Sequence, residues 1–310
     1  MPIRHVNCFI QPGLLPTNGL LVIGGEPGVG KSWMAQQMAF ELACGRRVLG
    51  LFPCKQTKVA YLELEKRSDI SQNRFLDYEW RKLYPEAPRF LGYYDERIPS
   101  MEKDSGKDML ENLIVEFAAE VIIVDSYAVT YIEEKDAVTI KPTIMNYRDI
   151  ARTQKVSFIL IHHLTKRGAM FDHKSREWSE EPIRLDTLRG NKVLHYEVDT
   201  AIGLAKTKKL ERELGFLKHS FSTAPFSDLS PLKFGFNPGS AQPFRLVDRD
   251  MTKILELVDS GVVEYPELQS LANISRGTLD KKVDLLCEIK LLDKIESPGR
   301  KKSYVKLPKF

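Results

Sequence analysis

An apolar run, Leu20 to Ile23, opens directly onto Gly25-Glu26-Pro27-Gly28-Val29-Gly30-Lys31-Ser32, and a stretch of helical period, Lys31 to Ala43, follows. No other feature constrains the fold as tightly. Glycines at these positions let the backbone curl so that successive N–H groups point inward, and the start of the helix adds its positive end, so the loop is built to cradle phosphate oxygens. In such a loop the Lys31 ammonium reaches the β- and γ-phosphates of ATP and the Ser32 hydroxyl ligates magnesium, with Trp33 next in the first helical turn. A strand, a turn and a helix in this order open a mostly parallel α/β sheet.

The rest of the chain agrees with that start. Short apolar runs at Leu20 to Ile23, Val59 to Leu64, Arg89 to Tyr93, Glu120 to Val124, Val156 to Ile161 and Thr200 to Leu204 predict strands. Between them, helical period predicts helices at Lys31 to Ala43, closed by Gly45, and at Asp69 to Tyr84, Lys107 to Ala118 and Lys141 to Gln154. From about 212 to 247 the period shortens around Pro225, Pro231, Pro238 and Pro243, which predicts antiparallel strands extending the sheet. Residues 1–248 are expected to form this core. Residues 249–310 form a second unit, with helices at Met251 to Val258, Pro266 to Ala272 and Ser275 to Ile289, then a basic hairpin, Asp293 to Leu307, turning on Pro298-Gly299.

Three strand ends carry polar groups that burial alone would exclude. Glu120 to Asp125 is an apolar strand closed by a carboxylate, the place of an acid that orders magnesium, although a turn cap is the alternative reading. In Val59-Ala60-Tyr61-Leu62-Glu63-Leu64-Glu65 two acids share one face. The later one, Glu65, lies nearer the carboxyl edge, where ligands bind in open α/β sheets, and is suited to activate water. Phe158 to Ile161 ends in His162 and His163, which fit a sensor of the γ-phosphate better than a zinc site, since no further ligand set stands at useful spacing.

These pieces together carry a family resemblance. Residues 18 to 248, through GGEPGVGKSW, YLELE, IIVDS, ILIHHLTK and Leu188-Arg189-Gly190, resemble the RecA-like ATPases grouped with the RepA hexameric helicases of plasmids and, more remotely, with DnaB and KaiC. The resemblance implies a core that assembles into a ring or filament with ATP between neighbouring subunits. It makes Glu65 the catalytic base, Asp125 the magnesium acid and His163 the sensor. Relatives often carry a Lys-x-Arg finger on a late hairpin. Here the aligned stretch is Lys218-His219-Ser220, so Lys218 acts alone, Arg212 or another late basic residue substitutes, or hydrolysis is slow.

DNA is the expected partner, and two segments are candidate contacts. One is the loop region Thr165 to Arg189, with Lys166, Arg167, Lys174, Arg176, Trp178, Arg184 and Arg189 among Glu177, Glu180 and Glu181, suited to single-stranded DNA in a channel. The other is the C-terminal unit, read as a winged helix-turn-helix that meets duplex DNA through Arg276, Lys281, Lys282, Arg300, Lys301 and Lys302. From Lys290 to Phe310 seven basic residues face two acidic ones, whereas the whole chain has a formal charge of only +4, so the case rests on clustering. A mobile surface loop of balanced charge is the alternative for the first segment, and protein contact for the second. Scattered cysteines, Cys8, Cys44, Cys54 and Cys287, and the absence of a signal-like or membrane-length apolar run predict a cytoplasmic protein with reduced thiols. The sequence thus predicts a DNA-stimulated ATPase, a helicase or translocase in replication or maintenance of a plasmid or mobile element. A slow regulatory ATP switch and a recombinase are the rival readings.

Overall fold

The computed structural model describes residues 7–65, 78–131, 137–163, 169–172, 177–180, 196–208, 210–219, 231–238, 240–288, 291–296 and 303–306. A small pair, β1 (Cys8–Ile10) and β2 (Leu15–Pro16), precedes β3 (Leu20–Gly25) and helix α1 (Lys31–Cys44). Next come β4 (Val59–Glu63), α2 (Tyr78–Leu83), α3 (Ala87–Phe90), β5 (Leu91–Tyr94), α4 (Asp104–Phe117), β6 (Val121–Asp125), α5 (Ala137–Thr153) and β7 (Ser157–His163). A hairpin of β8 (Ala169–Asp172) and β9 (Glu177–Glu180) stands apart from the main sheet. It is followed by β10 (Thr200–Lys208), β11 (Glu211–His219), β12 (Leu232–Phe236) and β13 (Phe244–Leu246). After these lie α6 (Arg249–Asp259), α7 (Tyr265–Ala272), α8 (Arg276–Glu288) and an antiparallel pair, β14 (Asp293–Glu296) and β15 (Ser303–Lys306).

Nine strands make one sheet in the order β13-β12-β11-β10-β3-β7-β6-β4-β5. From β10 to β5 all neighbours run parallel, while β11, β12 and β13 are added antiparallel. The central strands are apolar on both faces because helices cover both. Leu21, Ile23, Tyr61, Ile123 and Ile161 pack on the side of α1, and Leu20, Val22, Leu62, Val124 and Leu160 on the side of α4 and α5. Period-two alternation thus divides one strand between two cores.

Local chemistry sets the ends. Gly45, at φ 64°, caps α1 by donating to the carbonyls of Glu41 and Leu42, in the left-handed conformation that glycine adopts without strain. The buried Asp199 carboxylate accepts from the Leu20 amide at 2.8 Å and pairs with both Arg148 nitrogens, which fixes where β3 begins. One strand expectation is corrected. Arg89 and Phe90 belong to α3, a single turn with Pro88 in its first positions, and β5 runs from Leu91 to Tyr94. Residues 69–77 of the expected helix Asp69 to Tyr84 lie outside the described residues.

The apolar layer beneath α1 continues into the C-terminal helices through Met251, Ile254, Leu255, Val258, Leu279 and Val283. Asp248 caps α6 by accepting from the Met251 amide at 3.0 Å, and Ser275 accepts from the Thr278 amide at 3.2 Å at the start of α8. Arg47 makes a two-pronged pair with Asp259, at 2.6 and 2.8 Å, that ties α6 to the loop after α1. None of the described helices is long and apolar enough to cross a membrane, and all four cysteines are free thiols.

Candidate nucleotide site

The phosphate loop spans the end of β3 and the first turn of α1. Gly28 and Gly30 hold φ of 74° and 110°, values that a residue with a Cβ adopts only under strain. At Gly30 a Cβ would also stand 3.0 Å from the Phe236 ring and 3.1 Å from Phe244. The first turn of α1 has no acidic residue and Gly30 supplies no side-chain cap, so the helix presents an unneutralised positive end. Lys31 is buried, and its Nζ donates to the carbonyls of Gly25 and Glu26 at 2.8 and 2.9 Å, curled within the loop. Ser32 and Trp33 are half-exposed beside it.

Parallel pairing lines up the remaining groups. His163 on β7 is the register partner of Gly25, and Glu63 on β4 is the partner of Asp125 on β6. The carboxyl ends of β3, β7, β6 and β4 therefore form one continuous ledge. Asp125 is buried and accepts from the Tyr61 hydroxyl at 2.7 Å; burial, and then the charge of Asp125, holds the Tyr61 phenol well above its ordinary value. Glu65, just past β4, has its carboxylate 3.4 Å from His163 Nε2. The two acids of YLELE are thereby separated: Glu63 is only 1% exposed inside the sheet, and the Glu65 side chain is 44% exposed at its edge. The two histidines are separated as well. His162 is buried with its ring edge-on to Tyr127, at 5.4 Å, while His163 faces Glu65.

The two late basic residues differ in their surroundings within the chain. Arg212 is buried beneath the phosphate loop of its own chain, where Nε donates to the Val29 carbonyl at 2.6 Å and the guanidinium lies 4.2 Å over Phe236. It cannot substitute for the finger while it braces the loop from below. Lys218 pairs with Ala201, which in turn pairs with Val22, three residues before Gly25 and away from the ledge. Its Nζ donates to the Val198 carbonyl at 2.5 Å, and burial lowers its pKa. Ser220 lies outside the described residues.

Of the candidate DNA contacts, Arg276 and Lys281 are exposed on α8. Lys282 is half-exposed and paired with the Asp248 carboxylate at the start of α6. Lys166, Arg167, Lys174, Arg176, Arg184, Arg189, Arg300, Lys301 and Lys302 lie outside the described residues. Sequence reasoning missed the brace formed by Arg212, Phe236 and Phe244. Period-two alternation carried a trace of it, since Arg212 shares the buried face of β11 with Leu214.

A phosphate loop at the carboxyl edge of this sheet, with an acid closing the strand two places away, defines a RecA-like P-loop ATPase. The family described as "AAA domain" matches residues 2–169, more than half of the chain, and the chain belongs to that family. Among curated proteins, the DNA repair protein RadA of Halalkalibacterium halodurans is 27% identical over 183 residues, which cover 56% of this chain and 34% of RadA. The chain thus matches about a third of that relative's length. Among solved structures, the KaiC-like protein PH0186 of Pyrococcus horikoshii shares the fold at a TM-score of 0.50, with 15% identity over 79% of this chain and 99% of that one.

Proposed function

We propose that this chain hydrolyses ATP at the β3–β7–β6–β4 ledge and that DNA stimulates the reaction, as in a RepA-like helicase or translocase serving a plasmid or mobile element. The observation that carries the catalytic part is the pairing of Glu65 with His163 in a strand register that also sets His163 beside Gly25. The residues fit magnesium. Ser32 and Asp125 are two hard oxygen donors next to a phosphate loop, and among the described residues no third His, Cys, Asp or Glu completes an all-protein cage, which suits an ion that keeps phosphate and water as its other ligands. When bound, magnesium would neutralise charge on the β- and γ-phosphates.

Lys31 leaves the Gly25 and Glu26 carbonyls to meet the β- and γ-phosphates. Glu65 orients a water and takes its proton as the water oxygen bonds to the γ-phosphorus and the bond to the bridging oxygen breaks. His163 holds Glu65 in place and signals loss of the γ-phosphate through that contact. Residues 1–248 act as the ATPase core, and residues 249–310 as a winged helix that meets duplex DNA through Arg276, Lys281, Arg300, Lys301 and Lys302. Assembly into a ring, probed by native mass with ATP, would bring Lys218 of one subunit to the neighbour's nucleotide.

The DNA part is supported by the name of the RadA relative and by the basic residues of the C-terminal unit. A slow ATP switch is the second reading, favoured by the hold of Val198 on Lys218. The ATPase rate with and without single-stranded DNA separates them. A rise of about tenfold or more supports the motor; an unchanged rate overturns it in favour of the switch.

A further inference from the structure

A cleft of about 1170 Å³ lies between the loop after α1, strand β13 and helix α6, on the far side of the phosphate loop's support. It exceeds the roughly 300–1,000 Å³ of small-molecule sites, and its lining is cationic. Arg46, Arg245, Arg249 and Lys253 all border it and are exposed, and none is ion-paired among the described residues. Arg249 and Lys253 stand one turn apart on α6, a like-charge spacing that disfavours the helix unless an anion joins them. Arg47 is neutralised by Asp259, which leaves Glu256 as the remaining carboxylate of the lining. Phe244 and Leu255 give the cleft an apolar floor.

We propose that this cleft binds the sugar-phosphate backbone of single-stranded nucleic acid and reports its occupancy to the phosphate loop. The proposal rests on the nucleic-acid reading above and adds a site to it. Arg245, Arg249 and Lys253, with Arg46 lying over the Tyr84 ring at 5.2 Å beside them, form one concave cationic wall that matches a polyanion, and concavity selects a single strand, because a duplex is read by elements that protrude into its groove. The report runs through Phe244. Its amide donates to the Gln37 side chain at 2.8 Å and its carbonyl accepts from the same side chain at 3.0 Å, which ties the cleft floor to α1. Its ring touches the space above Gly30. Pressure on β13 therefore bears on the loop that holds phosphate.

The test is fluorescence anisotropy of a labelled oligothymidylate, titrated with the full chain across a salt series, for the wild type and for the combined variant Arg245→Glu, Arg249→Glu, Lys253→Glu. A second variant with Gln at the same three positions covers the case in which charge reversal impairs folding, which thermal melting reports. Affinity should fall at least about tenfold, and the slope of log affinity against log salt should flatten by about two, since each lost phosphate contact removes about 0.7. Basal ATPase should be unchanged while its stimulation by the oligonucleotide is lost. Wild-type protein that fails to bind overturns the nucleic-acid reading and this site with it. Wild-type binding that survives in both variants overturns the cleft alone, and stronger binding of duplex than of single strand overturns the choice of occupant.

Discussion

The phosphate loop and the cleft behind it are both built to meet anions, yet from opposite materials. In the loop a buried cation, Lys31, works with main-chain amides whose direction is set by Gly28 and Gly30. In the cleft the cations are exposed, and the backbone contributes only the wall that carries them. Buried charges close to their partners are little affected by salt, and exposed ones are screened within about 10 Å at 0.1 M. One site therefore recognises a shape and the other charge density. ATP affinity should be far less salt-dependent than oligonucleotide affinity.

The largest effect is expected of Lys31→Ala. The cradle of amides survives but loses the cation that meets the phosphates, and charge-assisted bonds of about 1.5–3 kcal/mol each are lost on two phosphates, so ATP affinity should fall by more than about a hundredfold in calorimetric titration. Oligonucleotide binding without ATP should not change. Loss of both together would show that the two sites are one.

A smaller effect lies between the sites. Glu41 is fully buried, accepts from Gln37 at 2.9 Å and from the Leu49 amide at 2.7 Å, and so joins the Phe244 support to the cleft wall. Burial pushes its pKa from 4.5 up to about 8, against the pull of those hydrogen bonds. A carboxyl with a raised folded pKa binds a proton that the unfolded chain releases, so its contribution to stability is full below the unfolded value and is lost as pH rises towards the folded one. The melting temperature of the wild type should therefore fall across that window relative to Glu41→Gln, by an amount on the order of a few kcal/mol in stability. Parallel melting curves for the two proteins would mean that Glu41 stays ionised.

Much of this was legible because it is local. The phosphate loop lies within eight consecutive residues, and Asp125 and Glu65 stand at strand ends that their own apolar runs mark. Legibility stopped where a side chain's direction depends on its neighbours. His162 and His163 sit on opposite faces of one strand, and only packing against Tyr127 decides which of them is buried. The strand expected at Arg89 begins two residues later because Pro88 favours a helical turn. Lys282 reads as an unpaired surface cation, yet Asp248, 34 residues earlier, pairs with it. Arg212 looks like a spare finger until the sheet order puts β11 beside β10 and under Val29. The cleft could not be read at all, since its cations come from distant parts of the chain that meet only when α6 docks on the loop after α1.

On the proposed mechanism the ledge is catalytic and Glu65 is its base. Turnover and ATP affinity of Glu65→Gln, measured side by side in the presence of magnesium, test it most directly. Affinity should stay within about threefold of wild type and turnover should fall by roughly a hundredfold to ten-thousandfold, the usual range for loss of a general base. Turnover equal to that of the wild type would contradict it.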